Sequence, residues 1–200
     1  MNINNKNYTI RPLMKKDGDL LKYWGTFDDP LYFGYEYNCL TEKELAIWYL
    51  MKRKINRSEY FSVISKENNL IGYIGIKDIN PIFKKAKLGI VLDPNFVSRG
   101  IGTMILADFL EYYFLDKKFN LLELEVNSWN LRAIKLYKKY GFKITNTEYI
   151  KFENQDIDIF DEKYRNLSDD FKEFNGYIFS KIYKMNLEKK EYLNEIRNRK

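Results

Sequence analysis

The sequence predicts a single domain of the mixed α/β (α+β) class, in which a sheet of about seven strands packs against helices. Segments with the two-residue alternation of strands and segments with apolar residues at helical spacing succeed one another along the chain. The 200 residues, of which 45% are apolar and 17% aromatic, suffice for one well-filled core. Since no repeat or linker is visible, we assign residues 1–186 to one domain and residues 187–200 to a charged helical tail.

The chain begins with a predicted strand, Tyr8–Pro12, that ends at its proline because proline cannot donate a ladder hydrogen bond. A helix from about Lys15 to Phe27 is predicted next, followed by an Asp-Asp-Pro turn and an aromatic loop. A second helix begins after Thr41, which forms a capping box with Glu44.

Three further strands are predicted before the middle of the chain. Glu59–Lys66 and Leu70–Ile79 form a hairpin, and Lys85–Asp93 is the next strand. Beyond the middle, an acidic insertion occupies about residues 154–175, and Tyr177–Asn186 is predicted as the last strand before the helical tail.

A glycine loop follows the strand that ends at Asp93, and a helix is predicted to begin after it, at Met104. The loop reads Val97-Ser98-Arg99-Gly100-Ile101-Gly102-Thr103. Two glycines spaced by one residue let the backbone approach a ligand, and the positive end of the helix points at the same place. The loop therefore predicts a pyrophosphate site, with an ordinary strand-to-helix turn as the alternative. A dinucleotide fingerprint would need Gly or Ala at Ile105, and the Gly-Lys-Ser/Thr of a P-loop does not occur.

A second informative segment combines a strand and a helix. The strand Leu121–Asn127 alternates apolar residues on one face with polar residues on the other. In the helix that follows, Asn130 and Tyr137 are seven positions apart, nearly two turns, so their side chains project from the same side. Gly141 is predicted to end this helix as a left-handed cap, with Phe142 packing back.

Together the two segments resemble the acyl-CoA-binding motifs of the GNAT acetyltransferase superfamily. The glycine loop is similar to its Q/R-x-x-G-x-G/A motif, although Val97 stands where Gln or Arg is usual. The residues that match its N-x-x-A-x-x-x-Y-x-x-x-G-F motif are Asn130, Ala133, Tyr137, Gly141 and Phe142. The order and spacing look most like the branch that includes ribosomal-protein N-terminal, polyamine and some aminoglycoside acetyltransferases.

The resemblance implies a GNAT fold whose fourth and fifth strands, here Lys85–Asp93 and Leu121–Asn127, splay into a V that holds the pantetheine arm. It implies an acetyl-CoA-dependent N-acetyltransferase in which a primary amine attacks the thioester directly, without a metal. A polyamine, an amino sugar and a peptide N-terminus all remain open as acceptors. A non-catalytic acyl-CoA-binding sensor or adaptor is the alternative from another functional class. The residues assigned to CoA binding are Leu92, Val97, Ser98, Arg99, Gly100, Ile101, Gly102, Thr103 and Asn130.

The resemblance also suggests catalytic roles. Tyr137 is the candidate acid for the departing thiolate, with a core tyrosine as the alternative. Asn130 is assigned either a hydrogen bond to the pantetheine arm or the cap of its own helix. Glu125 is the candidate base, directly or through water, with a solvated strand face as the alternative. Similar sequences often have an acid near the position of Lys87, and Asp93 is assigned as a turn former.

The acceptor is predicted to contact the end of the first helix and the loop that follows it, Trp24–Tyr37, where aromatic rings alternate with carboxylates. The residues assigned to acceptor binding are Asp28, Asp29, Tyr35 and Glu36. Ring faces and carboxylates suit a cationic amine, with a core role as the alternative for the rings. Residues 151–175, with 8 acids against 4 bases, are expected to add a second group of carboxylates for a polycation.

Composition excludes several other sites. With no histidine and the single Cys39, the chain has no Ser-His-Asp or Cys-His system, no His or Cys metal site and no internal disulfide. The net charge of +6 is spread among acids, so no nucleic-acid partner is expected. No segment resembles a membrane span or a signal peptide, and a cytoplasmic, bacterial protein is expected. A homodimer is one option for its assembly.

Overall fold

The computed structural model describes residues 1–53 and 57–198, which form two compact units. The first unit contains Met1–Asp28 and Tyr35–Asn120, and the second contains Asp29–Gly34 and Leu121–Lys200. Both units combine strands with helices, so the predicted α+β class is confirmed, whereas the single domain over residues 1–186 stays a prediction. None of the described helices is long and apolar enough to cross a membrane. Residues 199 and 200 of the predicted tail lie outside the described residues.

Five strands form the sheet of the first unit, each paired antiparallel with the one before it. They are β1 (Ile3–Asn4), β2 (Tyr8–Pro12), β3 (Glu59–Ser65), β4 (Leu70–Asn80) and β5 (Lys85–Leu92). The sequence predicts all of them except the short β1, to within one residue at each end. Nearly every residue of β3 and most of β4 are buried, so both faces of these strands are covered.

The first helix is shorter than the predicted Lys15–Phe27. Helix α1 covers Asp17–Leu20 and continues as a 3₁₀ turn over Leu21–Tyr23. Trp24 then turns to extended backbone, which buries its ring and lets its indole N–H donate to the carbonyl of Leu70 at 2.6 Å. A contact distant in sequence therefore ends the helix, and the local spacing could not reveal it.

Helix α2 (Glu42–Met51) has the predicted capping box. The Thr41 hydroxyl accepts a hydrogen bond from the Glu44 backbone N–H at 3.3 Å, and the Glu44 carboxylate accepts one from the Thr41 N–H at 2.8 Å. The helix buries Leu45 and Trp48 against the sheet.

Aromatic rings fill the core where α1 and α2 cover the sheet. Trp24 stacks on Tyr73 with ring centres 6.1 Å apart, and Trp48 meets Tyr73 edge-on at 5.3 Å. Tyr60 approaches Tyr73 from β3 at 6.0 Å, and the hydroxyls of Tyr37 and Tyr73 are 2.6 Å apart. Two rings of the predicted acceptor region, Trp24 and Tyr37, therefore take part in core packing.

Helix α3 (Ile101–Glu111) begins three residues before the predicted start at Met104. Gly100 precedes it with a left-handed backbone (φ 79°), so Ile101, Gly102 and Thr103 belong to the helix rather than to the loop. The helix continues as a π turn over Tyr112–Asp116. Its apolar face contains the fully buried Ile105, Phe109, Tyr113 and Phe114.

In the second unit three strands pair antiparallel with a central one. β6 (Leu121–Asn127), β7 (Lys143–Lys151) and β8 (Phe171–Phe174) all pair with β9 (Tyr177–Glu188), which leads directly into α5 (Lys189–Asn198). The sequence analysis does not predict β7, because its residues are mostly exposed and show no alternation. The described residues thus form nine strands, of which β1 and β8 are short.

Helix α4 (Leu131–Lys139) ends as predicted. Gly141 has a φ of 90°, and its N–H donates to the carbonyl of Lys138 at 3.0 Å. The N–H of Phe142 donates to the carbonyl of Tyr137 at 3.2 Å, and the two rings are 5.7 Å apart. These contacts are those of a Schellman motif, whose determinants lie within a few residues of one another.

A buried ion pair joins β2, α1 and β3. The fully buried carboxylate of Asp17 accepts two hydrogen bonds from the Arg11 guanidinium, both at 2.7 Å, and one from the Ser62 hydroxyl at 2.6 Å. Burial by itself raises the pKa of Asp17, but the hydrogen bonds from Arg11, Ser62 and the Met14 N–H outweigh it and leave the pKa below its ordinary value. The stabilisation is therefore present above about pH 4 and is lost as the pH falls through the lowered pKa.

We expect Asp17→Asn to lower the free energy of unfolding by about 3 kcal/mol at pH 7, because it leaves the Arg11 charge without its partner. Urea unfolding measures the loss. Asp19→Asn, at an exposed position of the same helix, is the matched control and should change stability by less than about 0.5 kcal/mol. The difference in the free energy of unfolding between wild type and Asp17→Asn should become smaller in acid. If Asp17→Asn and Asp19→Asn lose equal stability at pH 7, the ion pair of Asp17 with Arg11 does not stabilise the fold.

Candidate functional site

The segment that leads into the glycine loop begins at Asp93, which is buried where β5 ends. The Oδ1 atom of Asp93 accepts a hydrogen bond from the Asn95 N–H at 2.9 Å, which starts a 3₁₀ turn over Pro94–Phe96. The same oxygen accepts one from the Gly25 N–H at 3.0 Å. Asp93 therefore forms the turn and ties the start of the loop to the residues that follow the first helix.

Two residues of the loop have a left-handed backbone, Ser98 with φ 62° and Gly100 with φ 79°. A Cβ added at Gly100 would have nothing within 4 Å, so the backbone there is open to an approaching group. Arg99 lies between them, is exposed, and has its guanidinium carbon 5.5 Å from the ring centre of Phe96. The loop thus combines accessible backbone with one positive side chain.

The first turn of α3 presents N–H groups without a backbone acceptor among residues 1–53 and 57–198. The N–H groups of Thr103 and Met104 donate to the carbonyl of Gly100 at 3.1 and 3.3 Å. Those of Ile101 and Gly102 have no backbone acceptor in the part of the chain that the structure describes, as is general for a first helical turn. No acidic residue lies in this turn, so the helix dipole and the open N–H groups favour an anion such as a pyrophosphate.

The predicted site residues are divided between the two units. The first unit contains Leu92, Val97, Ser98, Arg99, Gly100, Ile101, Gly102 and Thr103 as one segment, together with Asp28, Tyr35 and Glu36. The second unit contains Asp29, Glu125, Asn130 and Tyr137.

Asn130 caps helix α4. Its Oδ1 atom accepts a hydrogen bond from the Ala133 N–H at 3.1 Å, and the residue is almost fully buried. The capping interpretation is therefore observed. Because the cap uses the amide oxygen, the amide nitrogen still has hydrogens to donate, and a contact with the pantetheine arm stays a prediction.

The two predicted catalytic residues differ in exposure. Tyr137 is buried on α4 and packs on Phe142, an environment that is compatible with both the acid and the core interpretation. Glu125 is exposed on β6, where it lies in register with Lys184 of β9. Exposure agrees with the solvated-face interpretation of Glu125, and its role as a base stays a prediction.

Side-chain contacts, in addition to the pairing of β8 with β9, hold the acidic insertion within the second unit. Asp170 accepts a hydrogen bond from the Ser128 hydroxyl at 2.5 Å and pairs with the Lys181 ammonium at 3.6 Å. The Tyr164 hydroxyl donates to Asp29 Oδ1 at 3.0 Å, and that oxygen also accepts a neighbouring backbone N–H. Asp29 and Asp170 therefore have structural partners, which reduces their availability to a ligand.

Asp28 and Glu36 differ from Asp29 in this respect. Asp28 is exposed and Glu36 is half-buried, and neither carboxylate makes a hydrogen bond or ion pair within the residues that the structure describes. Tyr35, beside Glu36, is half-buried. Two unpaired carboxylates in the same unit as the glycine loop suit a positively charged ligand.

A cation site that the sequence analysis missed lies in the first unit. The ammonium nitrogen of Lys52, the residue that ends α2, is 5.1, 5.0 and 4.8 Å from the ring centres of Trp48, Tyr60 and Tyr73. We call these three rings the aromatic cage. Burial, and to a lesser extent the charge of Lys77, lowers the pKa of Lys52 to about 8. The rings come from a helix and two strands, so no sequence spacing brings them together.

Within residues 1–53 and 57–198, no three side chains of the His, Cys, Asp or Glu type lie together in a way that could hold a metal ion. The expectation that the reaction needs no metal stays a prediction.

Three comparisons with known proteins bear on this site. The family model of the acetyltransferase (GNAT) domain matches residues 7–143. The spermidine N(1)-acetyltransferase of Escherichia coli (strain K12) is 23% identical over 145 residues, which are 68% of this chain and 72% of that protein. A structure of the spermidine N-acetyltransferase of Vibrio cholerae in complex with CoA and spermine superposes with a TM-score of 0.68 at 20% identity, over 95% of this chain and 100% of that one. A dodecameric structure of the Vibrio cholerae enzyme superposes with a TM-score of 0.65 at 22% identity, over 95% and 98% of the two chains.

We expect Gly100→Leu to weaken CoA binding at least about tenfold, because the new side chain fills the space beside the open N–H groups. Calorimetric titration with CoA measures the change. Gly176→Leu is the matched control, since Gly176 also has a left-handed φ, 74°, and nothing within 4 Å of an added Cβ. Both variants should lose about 1–2 kcal/mol of stability through backbone strain, and unchanged CoA affinity in a folded Gly100→Leu protein would place the anion site elsewhere.

Proposed function

The chain belongs to the acetyltransferase (GNAT) family, and from this premise we propose that it transfers the acetyl group of acetyl-CoA to a primary amine of a polyamine. The observation that carries the proposal is the open start of α3, where Gly100 leaves the backbone accessible beside two N–H groups that lack a backbone acceptor in the described residues. The polyamine class is supported by two relatives, the spermidine N(1)-acetyltransferase of Escherichia coli and the Vibrio cholerae enzyme in complex with CoA and spermine.

Acetyl-CoA supplies an activated acetyl thioester. We assign its pyrophosphate to the N–H groups of Ile101 and Gly102, with the Arg99 side chain as a nearby positive charge. The absence of a Cβ at Gly100 fits this assignment, because any side chain there would occupy the space next to those groups. Val97 offers no hydrogen bond from its side chain, so the backbone has to make the main contacts with the anion.

The acceptor approaches as a polycation. Asp28 and Glu36 attract it, since both carboxylates are unpaired in the part of the chain that the structure describes. The same carboxylates raise the pKa of the bound ammonium, so the enzyme must remove a proton before the nitrogen can attack. The nitrogen then forms a bond to the thioester carbon, the carbon–sulfur bond breaks, and the products are an N-acetylamine and the CoA thiol.

Proton transfers accompany this attack, and we assign them to Glu125 and Tyr137. Glu125 accepts the ammonium proton, directly or through water, and releases it to solvent. The Tyr137 phenol donates a proton to the leaving sulfur, and the second nitrogen proton, which is lost as the amide forms, restores the phenol through water. The support for Tyr137 is its position in the family motif and a ring that its contact with Phe142 holds in place. The support for Glu125 is its polar strand face alone.

Assembly and location extend the proposal. A homodimer stays a prediction, and the dodecameric Vibrio cholerae relative makes a larger assembly the alternative. Light scattering of the purified protein distinguishes the two. Location in the cytoplasm, where acetyl-CoA would be available, is likewise proposed.

Release of CoA thiol from acetyl-CoA in the presence of a panel of amines tests the function. The panel contains spermidine, an aminoglycoside, a basic peptide N-terminus and a neutral amine. Thiol release that is fastest with spermidine supports the proposal. If release is fastest with another amine of the panel, that amine is the acceptor in place of a polyamine. CoA binding without thiol release from any amine would instead indicate an acyl-CoA sensor.

We expect the kcat/KM for spermidine to fall at least about fivefold between low ionic strength and about 0.3 M salt, because salt screens the attraction of a polycation to carboxylates. The kcat/KM for an alkyl monoamine, whose chain has no second amino group, should change little. The double variant Asp28→Asn, Glu36→Gln should lose most of this salt dependence, and Asp19→Asn, another exposed carboxylate of the first unit, should keep it. A salt-independent preference for the monoamine would be evidence against a polycation site.

We expect Tyr137→Phe to lower kcat by about 10²–10⁴-fold, since it removes the proposed proton donor but keeps the ring. CoA affinity should stay within a few-fold of wild type. Tyr140→Phe, at a buried tyrosine three positions further on, is the matched control and should retain kcat. Wild-type kcat in Tyr137→Phe would assign this residue to the core instead.

A further inference from the structure

The aromatic cage lies beside the strand that leads into the glycine loop. Gly75 of β4 and Gly89 of β5 are paired in register. A Cβ at Gly89 would lie 2.6 Å from the Tyr60 hydroxyl, and a Cβ at Gly75 would collide with the backbone and ring of Tyr60. The ring of Tyr60 therefore lies across β4 with its hydroxyl at β5. One side of the cage is thus three residues, or about 10 Å, from Leu92, where the predicted CoA segment begins.

The rings, rather than a counter-charge, hold the Lys52 ammonium. All three ring centres lie about 5 Å from the nitrogen, within the range of about 6 Å for cation–π attraction. No carboxylate forms an ion pair with Lys52 among the residues that the structure describes. The cage is therefore built to receive an ammonium group from which most of the water has been removed.

The walls of the cage are shielded from water. Trp48 is 8% exposed, and its ring forms part of the cage. Tyr60 is 8% exposed and Tyr73 is 3% exposed. The indole nitrogen of Trp48 is buried close to the hydroxyls of Tyr37 and Tyr73. A cation that enters the cage therefore meets ring faces rather than water.

We propose that the aromatic cage binds one alkylammonium end of the polyamine acceptor, and that Lys52 occupies the cage until the acceptor displaces it. The inference rests on the proposed function for the identity of the ligand. Lys52 and the end of a polyamine present the same group, a primary ammonium on an alkyl chain, and so compete for the same ring faces. Because two ammonium ions in contact repel each other, only one of them occupies the cage at a time.

Competition of this kind makes cation binding depend on pH. Burial, with a smaller effect of Lys77, lowers the pKa of Lys52 to about 8, so Lys52 loses its charge between pH 7 and pH 9. The tyrosines that face it stay neutral over this range. Burial raises the pKa of Tyr60 to about 12, that of Tyr73 well above its ordinary value, and that of Tyr37 above its ordinary value. Lys77 is exposed and adds a positive charge nearby. A cation of fixed charge should therefore bind more tightly as the pH rises through 8.

Tetramethylammonium is a suitable probe, because its charge does not change with pH and aromatic cages bind quaternary ammonium ions. Calorimetry on the full chain, without acetyl-CoA, gives its dissociation constant. For wild type we expect this constant to fall about five- to tenfold between pH 7 and pH 9. In Lys52→Met, which keeps the length and apolar character of the side chain, binding should be tight already at pH 7 and independent of pH. The indole N–H resonance of Trp48 should shift on binding.

Two controls separate the cage from general electrostatics. Lys77→Met removes an exposed positive charge close to the cage and should leave the pH dependence in place. Tyr60→Phe keeps the ring face and should still bind the probe, whereas Tyr60→Leu removes the face and should weaken binding several-fold. The intact fold of each variant is checked by its unfolding transition.

Equal dissociation constants of tetramethylammonium for wild type and Lys52→Met at pH 7 would overturn the proposal. It would also be overturned if Lys77→Met bound the probe as tightly as Lys52→Met does. Turnover separates this result from a failure of the proposed function. If wild type acetylates spermidine but Lys52→Met leaves the KM for spermidine unchanged, the cage does not bind the acceptor and the function stands. A different result is that no polyamine is acetylated while Lys52→Met binds tetramethylammonium more tightly than wild type does. The cage would then bind alkylammonium ions, but the acceptor would not be a polyamine, and the polyamine part of the inference would be overturned.

Discussion

One buried carboxylate, that of Asp93, holds the start of the glycine loop and the end of the first helical segment in a single arrangement. Its Oδ1 atom accepts N–H groups from Asn95 and Gly25 at 2.9 and 3.0 Å. The first contact turns the chain out of β5 toward the left-handed Gly100, and the second fixes the backbone directly after Trp24, whose ring enters the core. The proposed CoA segment and the aromatic core are therefore connected through two hydrogen bonds to one oxygen.

The aromatic core has two physical roles in the first unit. Its rings bury apolar area, which stabilises the packing of α1 and α2 on the sheet. Their faces also carry the negative part of the ring quadrupole, and Trp48, Tyr60 and Tyr73 direct these faces at the Lys52 ammonium. A cluster that is needed for folding thus also creates a site for an alkylammonium ion, at no cost in additional residues.

The absence of histidine shapes the acid–base chemistry available to this chain. Groups that change charge near neutral pH have to be produced by the environment, and burial does this for Lys52, whose pKa is lowered to about 8. The same burial moves tyrosines in the opposite direction, and the pKa of Tyr60 is raised to about 12. Such tyrosines stay protonated near neutral pH, so their hydroxyls remain available as hydrogen-bond donors.

Features encoded within a few residues were predictable. The capping box of Thr41 and Glu44 and the Schellman motif of Gly141 and Phe142 form as expected, because each depends on hydrogen bonds between near neighbours. The buried strands of the first unit follow from their apolar runs, since the hydrophobic effect acts on any such run. The family itself could be read from two motifs, and the match over residues 7–143 bears this out.

Tertiary packing decided the rest. The first helix ends early because Trp24 reaches the carbonyl of Leu70, and α3 begins early because Gly100 adopts a left-handed turn. Asp29, whose part in binding the acceptor stays a prediction, accepts a hydrogen bond from Tyr164, 135 positions further along the chain. The cage around Lys52 combines the end of a helix with two strands, and the sequence pattern of any one of these elements does not predict their contact. Sequence spacing reports contacts along one element, whereas the surroundings of a side chain depend on which distant elements the fold packs against it.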